Sequence, residues 1–267
     1  MTIDTSNTSK TGPLAIRIVP MPGKKADAAQ QQEIKKPLLG AQPGSFPAFS
    51  ITPTLVADQV YEALRTAILT GELAGGSPLR VRDVAAMVGT SVMPVREAIR
   101  RLEETGLATR VAAHRGAVVR EFTVDELIHI YEVRATLEIE AARRGAANVT
   151  DADVARMEAA CARMQKAVTE RRVWDALDDD EDLLRTLYSA GGNPVLMDVI
   201  ENLWLQCRPY KVIGATEAIE HDDASLWTPQ PAILEAARAR DVKAATKLTK
   251  QSLASARQRL EKRLVPQ

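Results

Sequence analysis

The 267-residue chain predicts a mainly α-helical protein in two parts: three helices closed by a β-hairpin, then an antiparallel all-α bundle. Three observations predict this. Apolar residues make up 45% of the chain and aromatics only 4%, so the core is aliphatic, and alanine and leucine set among many charges favour helix. From Leu55 onward apolar residues recur at helical spacing, and Gly, Pro and Asn clusters interrupt them. No strand–helix–strand alternation, phosphate-binding loop or GxGxxG fingerprint occurs.

Residues 1–50 are rich in Pro, Gly, Ser, Thr, Gln and Lys without a sustained period, and read as a disordered tail. Order is expected from there, with a first domain over 51–122 and a second over 123–267. Val56, Val60, Leu64 and Ile68 repeat every four residues and predict the first helix. "TGELAGGSP" stops it. "VRDVAAMVG" predicts a short second helix ended by Gly89 as its C-terminal cap. Ser91 is placed to cap the third, "VMPVREAIRRLEE", where Pro94 is tolerated in the first turn. Gly106 closes that helix, and "LATRV", "AAHRG" and "AVVRE" predict strand, turn and strand.

The texture then changes. "TVDE" at Thr123–Glu126 is a capping box that opens a long helix through Tyr131, Arg134 and Glu138. "NVTDAD" ends it and caps the next, around 154–171. A third bundle helix is expected over 174–190. Pro194 starts a fourth through about Tyr210, residues 214–228 read as a loop, and two helices over 230–239 and 241–263 finish the bundle.

Charge separates the two parts although the whole chain is formally neutral. Residues 80–120 carry eight Arg and no Lys against four acids, while the chain from 123 onward has 20 basic and 24 acidic residues. A basic segment beside an acidic one points to a polyanion partner for the first. On the third helix Val95, Ala98, Ile99 and Leu102 form an apolar underside, and Arg96 and Arg100 lie four apart on the opposite flank. Guanidinium forks match phosphates and guanine edges. Two helices joined by a short glycine-containing turn make a helix-turn-helix, and the hairpin adds a wing, so double-stranded DNA is the predicted partner.

Cys161 and Cys207 make no disulfide framework or zinc spacing and are expected buried and reduced. No stretch of about 18 apolar residues occurs, and the N-terminus lacks a basic-then-apolar pattern, so no membrane partner and a cytoplasmic location are expected. "DDDED" at 178–182 resembles an acid–base cluster, but no nucleophile–base set, HExxH or nucleotide loop accompanies it, so an enzyme is not expected. Its predicted state is a solvated helix face, with Glu181 pairing with Arg185. Trp174, Trp204 and Trp227 are read as core.

The segment "LRTAILTGELAGGSPLRVRDVAAMVGTSVMPVREAIRRLEETGLATRVAAHRGAVV" resembles the winged helix-turn-helix of the GntR family of bacterial transcription regulators. "YEVRATLEIEAA", "LYSAGGNPVL" and "AILEAARARD" resemble the FCD effector domain of the FadR subgroup. The resemblance implies a homodimeric repressor or activator of pseudo-palindromic DNA. It implies operator contacts at Arg82, Ser91, Pro94 and Arg96, and a wing tip at His114, Arg115 and Gly116. The family often has Ser-Arg-Thr-Pro before "VRE"; here Val92 and Met93 stand in the middle of that motif. Neither donates a hydrogen bond to guanine, and both can pack on a thymine methyl, so guanine dependence there should fall.

Many FCD domains hold a divalent metal with one Asp and three His. Aligned on those motifs, Asp180 remains, while Leu184, Gln230 and Ser252 occupy the histidine positions. Leucine binds no cation and an imidazole-poor site binds transition metals poorly, so no metal or other cofactor is expected; the alternative left open is a hard cation such as calcium on oxygen ligands. The resemblance implies a small organic acid or acyl-type effector, with Arg134, Asp180, Arg208, Tyr210, Gln230 and Ser252 as candidate contacts; the alternative is a bundle that only dimerises. Arg134 has a second reading, a salt bridge to Glu138 within the bundle.

Overall fold

The computed structural model describes residues 54–111 and 116–264. The expectation for the tail and the wing-tip residues His114 and Arg115 lie outside the described residues.

Helix α1 spans Thr54–Leu69. Its buried stripe is Ala57, Val60, Tyr61, Leu64, Ala67 and Ile68. Val56, expected in the apolar row, is 44% exposed. A step of four overshoots the 3.6-residue turn by about 40°, so a row at strict fourfold spacing drifts off the buried face within three steps. Strand β1 (Pro78–Leu79) follows, then α2 (Val81–Val88), α3 (Val92–Glu104), β2 (Ala108–Arg110) and β3 (Ala117–Val119). The antiparallel sheet has the order β1-β3-β2, with Pro78 opposite Val118 and Ala108 opposite Val119. The hairpin was legible; β1 was not, because two residues carry no alternation and proline is confined to sheet edges.

Gly89 ends α2 in the left-handed conformation (φ 68°), its N–H returning to the Ala85 carbonyl. Ser91 holds the N-cap position of α3 with extended backbone but makes no side-chain capping bond. Pro94 is the third helical residue and has no N–H to offer it. Val95, Ala98 and Leu102 are fully buried, which contributes roughly 1.5–3 kcal/mol for a side chain of leucine size.

The bundle comprises α4 (Val124–Asn148), α5 (Asp151–Thr169), α6 (Val173–Ser189), α7 (Pro194–Glu220), a short 3-10 turn at Ala224–Leu226, α8 (Pro229–Arg238) and α9 (Val242–Leu264). Thr123 and Glu126 form the expected capping box, and Thr150 with Asp153 form a second. Helix α5 packs along α6 and α4 along α9. Gly145 sets the α4–α6 distance: a Cβ there would lie 1.9 Å from the Leu187 carbonyl oxygen. Met157, Met164, Leu183, Leu187, Ile200, Trp204 and Ile233 fill the core.

The expected loop over 214–228 is mostly helix. α7 runs ten residues past Tyr210, through Pro209, to Glu220. Trp204, Cys207 and Arg208 before the proline and Ala215 and Ile219 after it are buried. Packing on both sides offsets the proline's local cost of about 3 kcal/mol. The same helix meets the winged part. Leu205 packs on its apolar cluster, Gln206 Nε2 donates to the Thr105 carbonyl (3.4 Å), and the Tyr210 hydroxyl accepts from the Phe122 N–H (2.8 Å). Gly106, at φ 74°, leaves room for Gln206; a Cβ there would stand 2.9 Å from its Nε2.

Candidate functional site

Two sets of residues carry chemistry. The first lies on α2, α3 and the sheet. Nearly every described arginine of the winged part is ion-paired: Arg65 with Glu62, Arg80 with Asp83, Arg110 with Glu103, and Arg120 with Glu126. Arg101 pairs with Asp58 and stacks on the Tyr61 ring at 4.1 Å, which makes it a bracket between α3 and α1. Arg100 is gripped by both Glu97 and Glu104, and its hydrogen bond pulls the Glu97 carboxyl below the usual carboxylate range. DNA would have to displace an acid to reach it. Among the described residues of 54–122, Arg82 and Arg96 are the arginines without an ion pair, and both are exposed.

Arg96 shares a depression of about 400 Å³ with Val81, Arg100, Arg110 and Gly116, so the exposed flank of α3 and the base of the wing face one space. Gly116 sits at φ 85°, and its carbonyl accepts from the Val111 N–H (3.1 Å). At the start of α3, Ser91 is exposed, Pro94 is half-buried, and Val92 and Met93 are 40% and 71% exposed. Two apolar side chains left in water beside a free guanidinium form a surface able to meet both a phosphate and a base methyl.

The second set lies in the bundle. Arg134, Asp180, Leu184, Gln230 and Ser252, far apart in sequence, line one cavity of about 60 Å³ between α4, α6, α8 and α9. A larger one of about 490 Å³ adjoins it and shares Tyr131, Lys211 and Arg259; Tyr210 lines this one. Arg208 lines neither. It faces a cleft of about 630 Å³ toward α1, with Trp174 and Trp204, and pairs with Asp178 and with Glu181 (2.8 Å). Its expected place beside the other candidates is therefore corrected: Arg208 and Lys211 both reach Glu181, but only Lys211 lines the small cavity.

The acidic run is solvated only at its ends, Asp178 and Asp182; its middle is not. Asp180 is only 5% exposed, and Glu181 pairs with Arg208 and with Lys211 (3.3 Å), not with Arg185. Arg185 pairs instead with Asp182 and Glu201. Burial would raise the Glu181 pKa, but Lys211 and Arg208 outweigh it and hold the carboxyl below its ordinary value. Burial likewise acts to lower the Lys211 pKa, and Glu181 and Asp180 overcome it, leaving the ammonium above its ordinary value.

The Arg134–Glu138 salt bridge forms, at 2.7 Å. Glu138 also accepts from Trp204 Nε1 (2.9 Å) and the Tyr188 hydroxyl (3.3 Å). Yet Arg134 Nη1, Gln230 Oε1, Thr249 Oγ1 and Trp227 Nε1 are buried around the same cavity without partners. Buried polar groups rarely stay unpaired, so this set has capacity for a polar ligand.

Lys211, Arg259, Thr249, Trp227 and Tyr131 were missed as cavity residues. Thr249, Ser252, Ala256 and Arg259 follow helical spacing along α9 and were findable from Ser252. Lys211 was hidden by ending α7 at Tyr210. Cys161 and Cys207 are buried and free. Trp204 and Trp227 are buried as expected, and Trp174 is half-buried.

The cavity residues do not fit a divalent ion. Asp180 Oδ1 accepts from Gln230 Nε2 (2.6 Å) and Oδ2 from Lys211 Nζ (3.2 Å). Leu184 supplies no donor atom, and no other carboxylate of the cavity is free, since Glu138 is spent on Arg134, Tyr188 and Trp204.

Comparison with known families matches residues 56–119 to the bacterial regulatory proteins of the gntR family and residues 129–255 to the FCD domain. The chain is 28% identical over 168 residues to the HTH-type transcriptional regulator McbR of Escherichia coli K12, covering 61% of this chain and 76% of that one. It is 28% identical over 148 residues to the HTH-type transcriptional repressor RspR of the same organism, covering 55% and 64%. The solved structure of E. coli McbR/YncC superposes with a TM-score of 0.66 at 23% identity, over 79% of this chain and 99% of that one, a likeness of fold. No described helix is long and apolar enough to cross a membrane. The relatives are regulators and not enzymes, and the chain belongs with them to the GntR family, as a transcriptional regulator that joins a winged helix-turn-helix to an FCD domain.

Proposed function

We propose that this chain is a homodimeric repressor of a pseudo-palindromic operator, with residues 51–122 as its DNA-binding domain and 123–267 as its effector and dimerisation domain. The observation that carries the reading is the state of the arginines: Arg82 and Arg96 are exposed and unpaired, while their described neighbours are neutralised by acids. A cation left without a protein partner is available to phosphate. Ser91, Val92, Met93 and Pro94 lie against the major groove beside them, and the family resemblance gives His114, Arg115 and Gly116 the minor groove or the backbone as their partner. The relative named as a repressor supports the sign of regulation.

The effector is an organic acid or an acyl-type molecule, received in the cavity lined by Arg134, Asp180, Gln230 and Ser252, with Tyr210 at the adjoining space. Its binding shifts the spacing of the two winged domains, which requires unequal affinity for the two arrangements. DNA selected from a random pool by the wild-type protein supplies the probe. Arg82→Ala with Arg96→Ala is expected to abolish binding to it while far-UV circular dichroism stays unchanged; undiminished binding overturns the reading. Val92→Arg is expected to raise the guanine requirement in the selected sites, and sites unchanged by it would contradict the role given to Val92.

A further inference from the structure

The small cavity is unusual in its charge. Three cations line it, Arg134, Lys211 and Arg259, against two carboxylates, Glu138 and Asp180. Both carboxylates are already engaged, Glu138 by Arg134 and Asp180 by Lys211 and Gln230. Arg259 is half-buried and has no ion pair among the described residues; burial lowers its pKa, and Tyr131 and Asp223 oppose that only at longer range. Gln230 turns its amide nitrogen to Asp180 and leaves its own oxygen buried and unpartnered, as Thr249 leaves its hydroxyl.

A divalent ion bound to Asp180 would need to sit about 2.0–2.6 Å from a carboxylate oxygen. Lys211 Nζ already stands 3.2 Å from Asp180 Oδ2 and 3.3 Å from Glu181 Oε1. An ion on either oxygen of Asp180 would lie within a few ångströms of that ammonium, and like charges at such separation in a buried site repel strongly. Leu184, which lines the same cavity, adds no donor atom for a metal.

Resting on the effector-cavity reading above, we propose that Lys211 is the resident cation of this cavity: its ammonium already neutralises Asp180, the carboxylate a divalent ion would need, and with Arg259 it receives the ligand's anionic group without a metal. It is a specificity-determining residue, and the anion enters on the side where Arg134 Nη1 and the Thr249 hydroxyl lack partners.

The test uses tag-free full-length protein and Ni²⁺ alone, titrated calorimetrically. Leu184→His, Gln230→His and Ser252→His together place three imidazoles beside Asp180 while keeping Lys211. Adding Lys211→Met is expected to tighten Ni²⁺ binding at least about tenfold over that triple variant. Lys211→Arg in the same background is expected to leave binding weak. Equal affinity of the triple and quadruple variants overturns the proposal. A second arm needs only single variants, each checked for folding by circular dichroism. Acetate, against equal chloride, is expected to raise the melting temperature of wild type and Lys211→Arg but not of Lys211→Met. An equal rise in Lys211→Met, or none in wild type, overturns it. Neither arm involves DNA, so their failure leaves the operator reading standing, and a failed operator reading leaves both arms informative.

Discussion

Glu138 offers the most direct measure of what holds the bundle in one arrangement. Its side chain is 1% exposed and accepts three hydrogen bonds, from Arg134 Nε at 2.7 Å, Trp204 Nε1 at 2.9 Å and the Tyr188 hydroxyl at 3.3 Å. It therefore ties α4 to α6 and α7 at one point. Glu138→Gln keeps the shape and one acceptor oxygen but removes the charge, leaving the buried Arg134 guanidinium uncompensated. Breaking one side of a buried pair costs about 3–5 kcal/mol, and lost charge-assisted bonds to Trp204 and Tyr188 act in the same direction. For a domain of this size each kcal/mol moves the melting point by about 2–4 °C, so a fall of roughly 6–20 °C is expected. Differential scanning calorimetry reads it directly. Replacing both partners, Arg134→Met with Glu138→Leu, should recover much of the loss, because no charge is then left buried. A Glu138→Gln variant melting within about 2 °C of wild type would refute the view that this pair is sealed from solvent.

Further expectations follow from the same geometry. Gly145→Ala would drive a methyl into the Leu187 carbonyl, 1.9 Å away, so α4 and α6 must separate; a loss of at least about 1–3 kcal/mol is expected in urea unfolding, and an unchanged midpoint would contradict the close approach. Glu181 has a depressed folded pKa, so its stabilising contribution is present above its unfolded value of about 4.3 and is lost as pH falls through the folded value. Glu181→Gln should accordingly melt below wild type at pH 7 by a margin that closes under about pH 4; a margin independent of pH would remove the ion pairs to Lys211 and Arg208 as its cause.

Much of this was legible in the sequence where short-range rules decide. Gly89, Gly106 and the Thr123–Glu126 box mark boundaries through local backbone chemistry, and the three winged helices follow from spacing. The rest depended on contacts between distant residues. Pro209 reads as a stop until its buried neighbours on α7 are known, and the false stop removed Lys211 from consideration. The run 178–182 reads as solvated because no local signal announces that Arg208 and Lys211, about 30 positions on, will pack over it. Conversely, Asp180, Leu184, Gln230 and Ser252 were grouped by resemblance alone, and the fold brings all four to one cavity. Arg96 and Arg100 look equivalent as letters; only the placement of Glu97 and Glu104 separates them.

That last distinction bears on the central claim, that free guanidinium groups on α3 and α2 grip the duplex. Fluorescence anisotropy with the selected operator, at fixed salt, should compare Arg96→Ala with Arg100→Ala in the otherwise intact protein. Arg96→Ala is expected to weaken binding by at least about fivefold, from roughly 1–3 kcal/mol lost per bidentate contact, while Arg100→Ala stays within about twofold. Equal losses for the two, or a larger loss for Arg100→Ala, would contradict it.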